Sequence, residues 1–174
     1  MKKIILLALI SLMSSSVVLS QTNHIYGEGL GVGLLGSLNY ERMVMDNVAA
    51  RVGISSYSGT ISESVITEDG TPTGFVADVD FSIMPIIAGA SYLMGNKWKL
   101  EVGGGISYWM VNGRVSFGDF DSDEEDVSLL TFYGVGGFRY QNPEGGITFR
   151  LGLNYLMIED IGIPFPHLSL GYGF

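Results

Sequence analysis

The sequence lacks cysteine, and its 174 residues include only two histidines and nine basic residues against 18 acidic ones. Without cysteine the chain has no disulfide framework and no attachment point for a lipid anchor. A net charge of −9 repels nucleic acid, so we expect no nucleic-acid partner. Two histidines without cysteine argue against a catalytic metal centre. We therefore expect neither a metal nor a cofactor.

The chain also lacks a second long apolar run after Ile4–Met13, which follows two lysines and leads into a Ser-rich stretch. A membrane-spanning helix needs roughly twenty apolar residues, about twice the length of this run. We interpret residues 1–20 as a secretory signal peptide that is removed on export. The mature chain, residues 21–174, then has the length of a single domain, with seven basic and 18 acidic side chains.

The dominant pattern in the mature chain is alternation with a period of two. Ile147, Phe149 and Leu151 alternate with Thr148 and Arg150, and the pattern continues to residue 157. Successive side chains of a strand point to opposite faces, so this segment has one apolar and one polar face. Similar alternation occurs in residues 48–57 and 99–111, and no segment with helical periodicity is of comparable quality.

The connections between these segments alternate in length. Short turn signals occupy residues 45–47, 95–97 and 141–146, whereas polar stretches of greater length occupy residues 58–78, 112–126 and 159–164. Strands of about ten residues with short turns at one end and long loops at the other are typical of a transmembrane β-barrel. Aromatic residues near the strand ends fit the aromatic girdles of such barrels: Tyr40, Tyr92, Trp98, Tyr140, Tyr155, Tyr172 and Phe174. A soluble β-sandwich is the alternative.

The C-terminal strand carries the most specific signal. Leu168, Leu170, Tyr172 and Phe174 lie on one face, and the chain ends on an aromatic residue. This strand resembles the last strand of the outer-membrane β-barrel proteins of Gram-negative bacteria, although Ser169 stands where that family usually has glycine. The resemblance implies that these four residues are the insertion signal read by the barrel-insertion machinery. It also implies a monomer in the outer membrane, in contact with lipid and lipopolysaccharide.

The number of strands follows from the turns. Seven segments are clear, near residues 34–44, 47–58, 76–94, 98–111, 127–141, 147–158 and 165–174. A closed antiparallel barrel of this class has an even number of strands, so residues 23–30 are predicted to supply the eighth, with a bend at Gly31–Gly33. The predicted fold is an all-β, closed, eight-stranded antiparallel barrel. Its interior is filled by side chains and is too narrow for a porin channel.

A Gly-rich hexapeptide, Gly31–Gly36, matches the G-x-G-x-x-G fingerprint of dinucleotide-binding proteins. That fingerprint requires a preceding buried strand, a following helix and an acidic residue about twenty positions later. The segment after it reads as a strand, and residues 55–57 are Ser-Ser-Tyr. The glycines are therefore interpreted as part of a bent or crowded barrel wall.

Charged residues on the inward face are predicted to form a polar network in the lumen, made of Glu41, Arg51, Glu101, Arg139 and Arg150. Glu41 and Arg51 are equidistant from the turn at Asp46, and the two remaining arginines are symmetric about the turn at residues 141–146. Opposed arginines need a carboxylate nearby, for which Glu101 is the best candidate. A ligand or ion site inside the barrel is the alternative interpretation.

The acidic run from Asp119 to Asp126 begins like a calcium-binding loop, with Asp119, Asp121 and Asp123 at alternate positions. Glu124 stands where an EF-hand requires glycine, and Leu130 stands where it requires a bidentate glutamate, so the EF-hand interpretation fails. Weak binding of a divalent cation by these three aspartates remains a hypothesis, against that of a solvated, repulsive loop.

His167 and Ser169 share one strand face. This arrangement is similar to the one that outer-membrane lipid A deacylases use, although Leu170 stands where those enzymes have asparagine. The alternation directs both side chains to the lumen, away from a lipid substrate, so we expect no enzymatic activity. The sequence favours a non-enzymatic outer-membrane barrel with acidic extracellular loops and a structural, adhesive or interaction role. One alternative is binding of a small ligand or ion in the lumen or the loops, or minor conductance. The other is a lipid A-modifying hydrolase that uses His167 and Ser169.

Overall fold

A computed structural model describes residues 23–66, 72–117, 120–121, 125–158 and 161–174, and almost all of them belong to strands. Among these residues no helix is long and apolar enough to cross a membrane. The strands are β1 (Asn23–Gly29), β2 (Gly36–Met45), β3 (Val48–Ile54), β4 (Tyr57–Ile66), β5 (Pro72–Gly95), β6 (Trp98–Phe117), β7 (Phe120–Asp121), β8 (Glu125–Gln141), β9 (Gly146–Ile158) and β10 (Ile161–Gly173).

The strands close into an antiparallel ring of eight positions, in the order β1, β2, β3, β5, β6, β8, β9, β10 and back to β1. The strand β4 follows β3 after a break at Ser55–Ser56. The two-residue strand β7 pairs with the last residues of β6, beyond the part of β6 that pairs with β8. The predicted eight-stranded barrel is confirmed. The first and second strands are separated at residues 30–35, so the N-terminal segment supplies a separate strand as predicted.

Both described termini lie at one end of the barrel, where the backbones of Asn23 and Phe174 exchange two hydrogen bonds of 2.8 Å. The short turns at residues 46–47, 96–97 and 142–145 lie at this same end, which we call the turn end. The opposite end, which we call the outer end, carries the connection between β1 and β2 and the far ends of β5, β6 and β8. The three predicted short turns therefore lie together at one end of the molecule.

The barrel wall is apolar outside and polar inside. Exposed outward side chains include Val102, Ile106 and Leu151, whereas buried inward positions include Asn39, Ser107 and many charged residues. On β6 the outward aromatics Trp98 and Tyr108 are ten residues apart. At about 3.3 Å per residue and a tilt near 40°, they are about 25 Å apart along the barrel axis, the height of the apolar band of an outer-membrane barrel.

The outer end corrects the predicted long loops. Most of residues 58–78 and 112–126 are paired strand, and β10 begins at Ile161 rather than near residue 165. The strand β4 pairs with β5 from Tyr57↔Ile83 to Ile66↔Pro72, and β5 pairs with β6 as far as Ala77↔Phe117. We call this extension the projecting sheet. It consists of β4, residues 72–83 of β5, 110–117 of β6, β7, and 125–130 of β8.

The projecting sheet escaped prediction because it reverses the pattern used to find strands. Except at its base, where Met110 and Leu130 lie, its described side chains that continue the lipid-facing side are polar, so the alternation typical of a barrel wall is lost on β5 from residue 82 to residue 78. Backbone pairing depends on main-chain hydrogen bonds and does not require an apolar outward face. Twelve residues of β5, 72–83, or roughly 40 Å of strand, extend beyond the apolar band.

Candidate functional site

The barrel interior holds an alternating chain of three arginines and three glutamates, which we call the ion-pair chain. All six side chains are almost fully buried, and their equal numbers leave the chain without net formal charge. The ion pairs, in order, are Arg51 to Glu28 at 3.0 Å, Glu28 to Arg150 at 3.7 Å, Arg150 to Glu101 at 2.5 Å, Glu101 to Arg139 at 3.4 Å, and Arg139 to Glu41 at 2.7 Å.

The pair between Arg150 and Glu101 is the centre of this chain. The Arg150 guanidinium donates through Nε and Nη2 to the two carboxylate oxygens of Glu101, at 2.9 and 2.5 Å. Two parallel N–H···O bonds to one carboxylate fix the orientation of both groups as well as attracting them. The guanidinium also lies 4.7 Å from the ring centroid of Tyr26, and that of Arg51 lies 5.1 Å from the ring of Tyr133.

The five residues of the predicted lumen network all face the interior. Their ion-pair partners, however, are not always the residues that face them across a hairpin turn. Glu41 and Arg51 are register neighbours across the β2–β3 hairpin, yet Glu41 contacts Arg139 and Arg51 contacts a different carboxylate. Arg139 and Arg150 are register neighbours on β8 and β9. Glu101 lies between them as proposed, with one carboxylate oxygen 3.4 Å from Nε of Arg139.

Glu28 is the member of the chain that sequence reasoning missed. It contacts both Arg51 and Arg150, and without it these two arginines would share no carboxylate. The available signal was the alternation in β1, where His24, Tyr26 and Glu28 are buried whereas Ile25 and Gly27 are exposed. An even strand number predicts only that this segment is a strand, and it does not indicate which of its side chains face the lumen.

An apolar cluster closes the lumen above the ion-pair chain, and we call it the plug. The connection between β1 and β2 folds into the barrel mouth so that Val32 is 1% exposed. Its buried and half-buried neighbours come from six strands or connections: Leu34, Ile83, Ile87, Trp109, Tyr133, Leu156, Ile158 and Phe165. Most of the Gly-rich run that resembles a dinucleotide fingerprint thus forms an inward-folded connection between β1 and β2 rather than the bent barrel wall predicted from its glycines.

The plug is held by contacts from the start of β4. The Tyr57 hydroxyl lies within hydrogen-bond distance of the carbonyls of Gly33 and Gly36, to one of which it donates its single proton, and it accepts from the Gly36 N–H. The Ser55 hydroxyl donates to the Gly36 carbonyl. Leu30 and Leu34 adopt φ values of 59° and 64°, a region that non-glycine residues rarely occupy. Such conformations persist only where surrounding contacts impose them, and the Tyr57 contacts to Gly33 and Gly36 lie on both sides of Leu34.

His167 and Ser169 are buried on the lumen side of β10, with 1% and 2% exposure. Ser169 is the register neighbour of Glu28 on one side and Arg150 on the other. His167 lies against Gly152, where an added Cβ would be only 2.8 Å from Cε1 of its ring. The pair therefore belongs to the packed interior, on the opposite side of the barrel wall from lipid.

The insertion-signal residues lie on the outward face of the last strand. Leu168, Leu170, Tyr172 and Phe174 are each 50–65% exposed, and β10 is paired on both sides, with β1 and β9. Their role in biogenesis stays a prediction. Asp119 and Asp123 lie outside the described residues, and the side chain of Asp121 is also not described, so cation binding stays a prediction as well. In the described part of the chain no group of three or more potential ligands forms a metal site.

The projecting sheet is the second candidate site, and its two faces differ. The face that continues the lumen side carries Ile61, Val79, Phe81, Val111, Val115, Val127 and Leu129, most of them exposed. The face that continues the lipid side carries Ser58, Thr60, Ser62, Asp78, Asp80, Ser82, Asn112, Arg114, Ser116, Asp126 and Ser128. On this polar face the Thr60 hydroxyl donates to Asp80 at 2.5 Å.

Two edges of the projecting sheet are open. In the residues that the structure describes, β4 pairs with β5 alone. On the other side β9 pairs with β8 only from Phe132 onward, which leaves residues 125–131 of β8 paired with β6 alone. Open strand edges present unpaired backbone N–H and C=O groups, which can pair with a further strand.

No protein-family model and no curated protein matches the sequence. Among solved structures, the chain is similar to the attachment invasion locus protein Ail of Yersinia pestis, solved in complex with the heparin analogue sucrose octasulfate. The identity is 15% and the TM-score 0.54, over 88% of this chain and 97% of that one.

Two further solved barrels are similar. One is a major outer membrane protein from Thermus thermophilus, with a TM-score of 0.51 and 13% identity over 88% of this chain and 98% of that one. The other is the N-terminal β-barrel domain of Pseudomonas aeruginosa OprF, with a TM-score of 0.50 and 12% identity over 88% and 96%. The chain has the fold of the small outer-membrane β-barrel proteins.

Proposed function

We propose that this protein is a non-enzymatic, non-conducting outer-membrane barrel that displays the projecting sheet outside the cell as an interaction surface. The observation that carries the proposal is a sheet whose β4 and β8 edges have no further strand partner among the described residues, set on a barrel whose interior is filled with buried side chains. The role is adhesion or another contact at the envelope, in which the barrel holds the sheet in place.

The orientation of the sheet follows from the connections. Outer-membrane barrels place their short turns in the periplasm and their longer connections outside the cell. The turn end carries both described termini and the three short turns. The projecting sheet then lies beyond the outer edge of the membrane, where water contacts both of its faces.

The interior argues against conductance and against an anionic lumen ligand. The plug fills the outer mouth, and Met43, Ala49 and Leu93 form a second apolar cluster nearer the turn end. Each arginine of the ion-pair chain has a carboxylate within 4 Å. An incoming anion would have to displace a carboxylate from a buried pair, and breaking such a pair costs several kcal/mol.

Two other functions gain no support from the geometry. A lipid hydrolase requires its nucleophile to reach lipid, and Ser169 is buried on the lumen side. A polysulfate ligand, as in the Yersinia pestis complex, does not suit the charge of the outer end. Residues 57–80 and 111–128 contain eleven acidic residues and one basic residue, Arg114.

The proposal is tested first by location and folding. We expect the protein in the outer-membrane fraction, with an electrophoretic mobility that changes on heating, and no current steps in planar bilayers. Recovery from the soluble periplasm without a heat-dependent shift would contradict the barrel assignment. Current steps abolished by Arg139→Ala would support lumen conductance instead.

A hairpin-replacement variant tests the role of the sheet. Residues 59–80 and 113–126 are each replaced by a short turn, which leaves the ring of eight strands intact. We expect the variant to keep its heat-dependent mobility and to lose adhesion of expressing cells to one another or to host surfaces. Unchanged adhesion with a folded barrel would remove the sheet from the function.

A further inference from the structure

The first six residues of the β4 edge lack the features that usually protect an edge strand, which begin only at Glu63. Edge strands in natural proteins are normally blunted by charged residues, proline or bulges. Tyr57–Ser62 contains none of these, and its register with β5 is continuous, with the first irregularity only between Ser64 and Ile66. By contrast, the open part of β8 begins with Glu125 and Asp126. The two edges of the sheet therefore differ, since charged residues occupy the start of the open part of β8 and are absent from Tyr57–Ser62.

We propose that the β4 edge binds an extended polypeptide segment in which apolar and basic residues alternate. This inference rests on the proposed role of the projecting sheet as an interaction surface and names the chemistry of its partner. The segment adds as a further antiparallel or parallel strand beside Tyr57–Ser62. Main-chain hydrogen bonds supply affinity in such additions, and alternate side chains supply specificity.

The alternation of the partner is set by the two faces of the sheet. Side chains of an added strand that lie beside Ile61 continue the apolar row formed with Val79 and Val115. Ile61 is 55% exposed and Val79 38%, so apolar residues of the partner would cover surface that now faces water. Burial of this area favours apolar residues at every second position of the segment.

The intervening side chains of the partner meet a polar, acidic face. Beside Thr60 and Ser62 on β4 lie Asp80 and Asp78 on β5, as register neighbours. Asp80 already accepts from the Thr60 hydroxyl and is a register neighbour of Arg114 on β6, so the carboxylate of Asp78, beside the short side chain of Ser62, is the main target for a lysine or arginine that crosses β4. The excess of acidic residues in the outer end adds a long-range attraction for basic segments, which salt weakens.

The test uses the full-length mature protein in zwitterionic-lipid nanodiscs and a fluorescent, capped peptide in which valine and lysine alternate. Fluorescence anisotropy at low salt measures binding. We expect saturable binding, at least about fivefold weaker for a peptide alternating valine and glutamate and for one with the valines and lysines in two blocks. A block peptide that binds as tightly as the alternating one would overturn the inference, because charge alone would then explain binding.

Matched lysine substitutions locate the edge. Thr60→Lys places a like charge on the polar face of β4, whereas Ser128→Lys places the same charge on the same face of β8, and both positions are exposed. Cross-strand charge pairs contribute about 0.2–1 kcal/mol, so Thr60→Lys is expected to weaken binding up to about fivefold, with Ser128→Lys close to wild type. Equal weakening by both variants would overturn the assignment to β4.

The barrel fold is verified in each sample by its heat-dependent mobility. If that shift is absent, the proposed function fails together with this inference. If the shift is present and adhesion depends on the hairpins, but alternating and block peptides bind alike, only the partner chemistry is wrong.

Discussion

The barrel and the projecting sheet are built from the same strands, yet their faces have opposite polarity. In the part of β5 between residue 84 and the turn end, outward side chains such as Ile86 and Tyr92 are apolar, and inward side chains such as Ser91 include polar groups. In the projecting sheet the outward positions are Ser82, Asp80 and Asp78, and the inward ones are apolar. One continuous strand thus changes its pattern at the border between the barrel wall and the projecting sheet, as the proposed change of surroundings from lipid to water predicts.

The difference shows that the environment of each face, rather than the strand itself, decides which residues it carries. Lipid requires an apolar outer face, so the polar groups of the barrel are confined to the interior and must pair with each other there. In water the polar face turns outward, and the inward face is left as exposed apolar surface above the plug. The following substitutions test that contrast, from the largest expected effect to the smallest.

Removal of one member of the ion-pair chain tests the interior of the barrel. Arg150→Met leaves Glu28 and Glu101 buried without their shared guanidinium, so we expect a loss of about 3–5 kcal/mol in the free energy of unfolding. Denaturant unfolding in lipid bilayers measures it, with Lys97→Met, in an exposed turn, as the control. Equal stability of both variants would show that the chain does not stabilise the barrel.

The outward face of the barrel wall continues into the polar face of the projecting sheet. An arginine introduced at one site on each tests which part of this face contacts lipid and which contacts water. Leu153→Arg, on the lipid side of β9, is expected to cost about 2–4 kcal/mol of unfolding free energy. Ser62→Arg, on the polar face of the projecting sheet, is expected to change it by less than about 0.5 kcal/mol. The same denaturant measurement compares them, and similar losses at both sites would contradict the position of the membrane boundary.

The crowding of the interior wall is tested by adding a single methyl group. At Gly152 a Cβ would lie 2.4 Å from the Gly136 carbonyl oxygen, so Gly152→Ala is expected to cost about 1–3 kcal/mol by overpacking. Gly27, on the outward face of β1, has no atom within 4 Å of the same position. Gly27→Ala should therefore unfold close to wild type, and a loss there as large as at Gly152 would refute the steric explanation.

The junction between the two regions is tested at Tyr57. Tyr57→Phe removes the hydroxyl that contacts the carbonyls of Gly33 and Gly36, with an expected loss of about 0.5–1.5 kcal/mol. Hydrogen exchange measured by mass spectrometry should rise in residues 30–36 and stay unchanged in the β8–β9 hairpin. A uniform increase along the chain would mean that Tyr57 stabilises the whole barrel rather than the plug.

The membrane part of the fold was predictable because lipid imposes a pattern on sequence. Period-two alternation located seven strands, and the need for an even number located the eighth. The symmetry of the hairpins also gave the register of Glu41 with Arg51 and of Arg139 with Arg150, since a short turn fixes which residues face each other.

The rest depended on contacts that alternation does not encode. Glu41 contacts Arg139 across the lumen rather than its hairpin neighbour, because the curvature of the barrel brings distant strands together. The inward fold of Val32 and the strands of the projecting sheet depend on tertiary contacts and on water, and neither leaves a period-two, apolar-outward signature in the sequence.

Barrel closure and the ion-pair chain share the strand β1. Glu28 joins Arg51 on β3 to Arg150 on β9, and the path to β9 crosses β10, which pairs with β1 at the seam. The charges of the interior can therefore be neutralised in full only when the first and last strands have met, across almost the whole length of the chain. Assembly should accordingly be cooperative and slow, because the strand pairing with the largest sequence separation, β1 with β10, is also the one that brings Glu28 to Arg150.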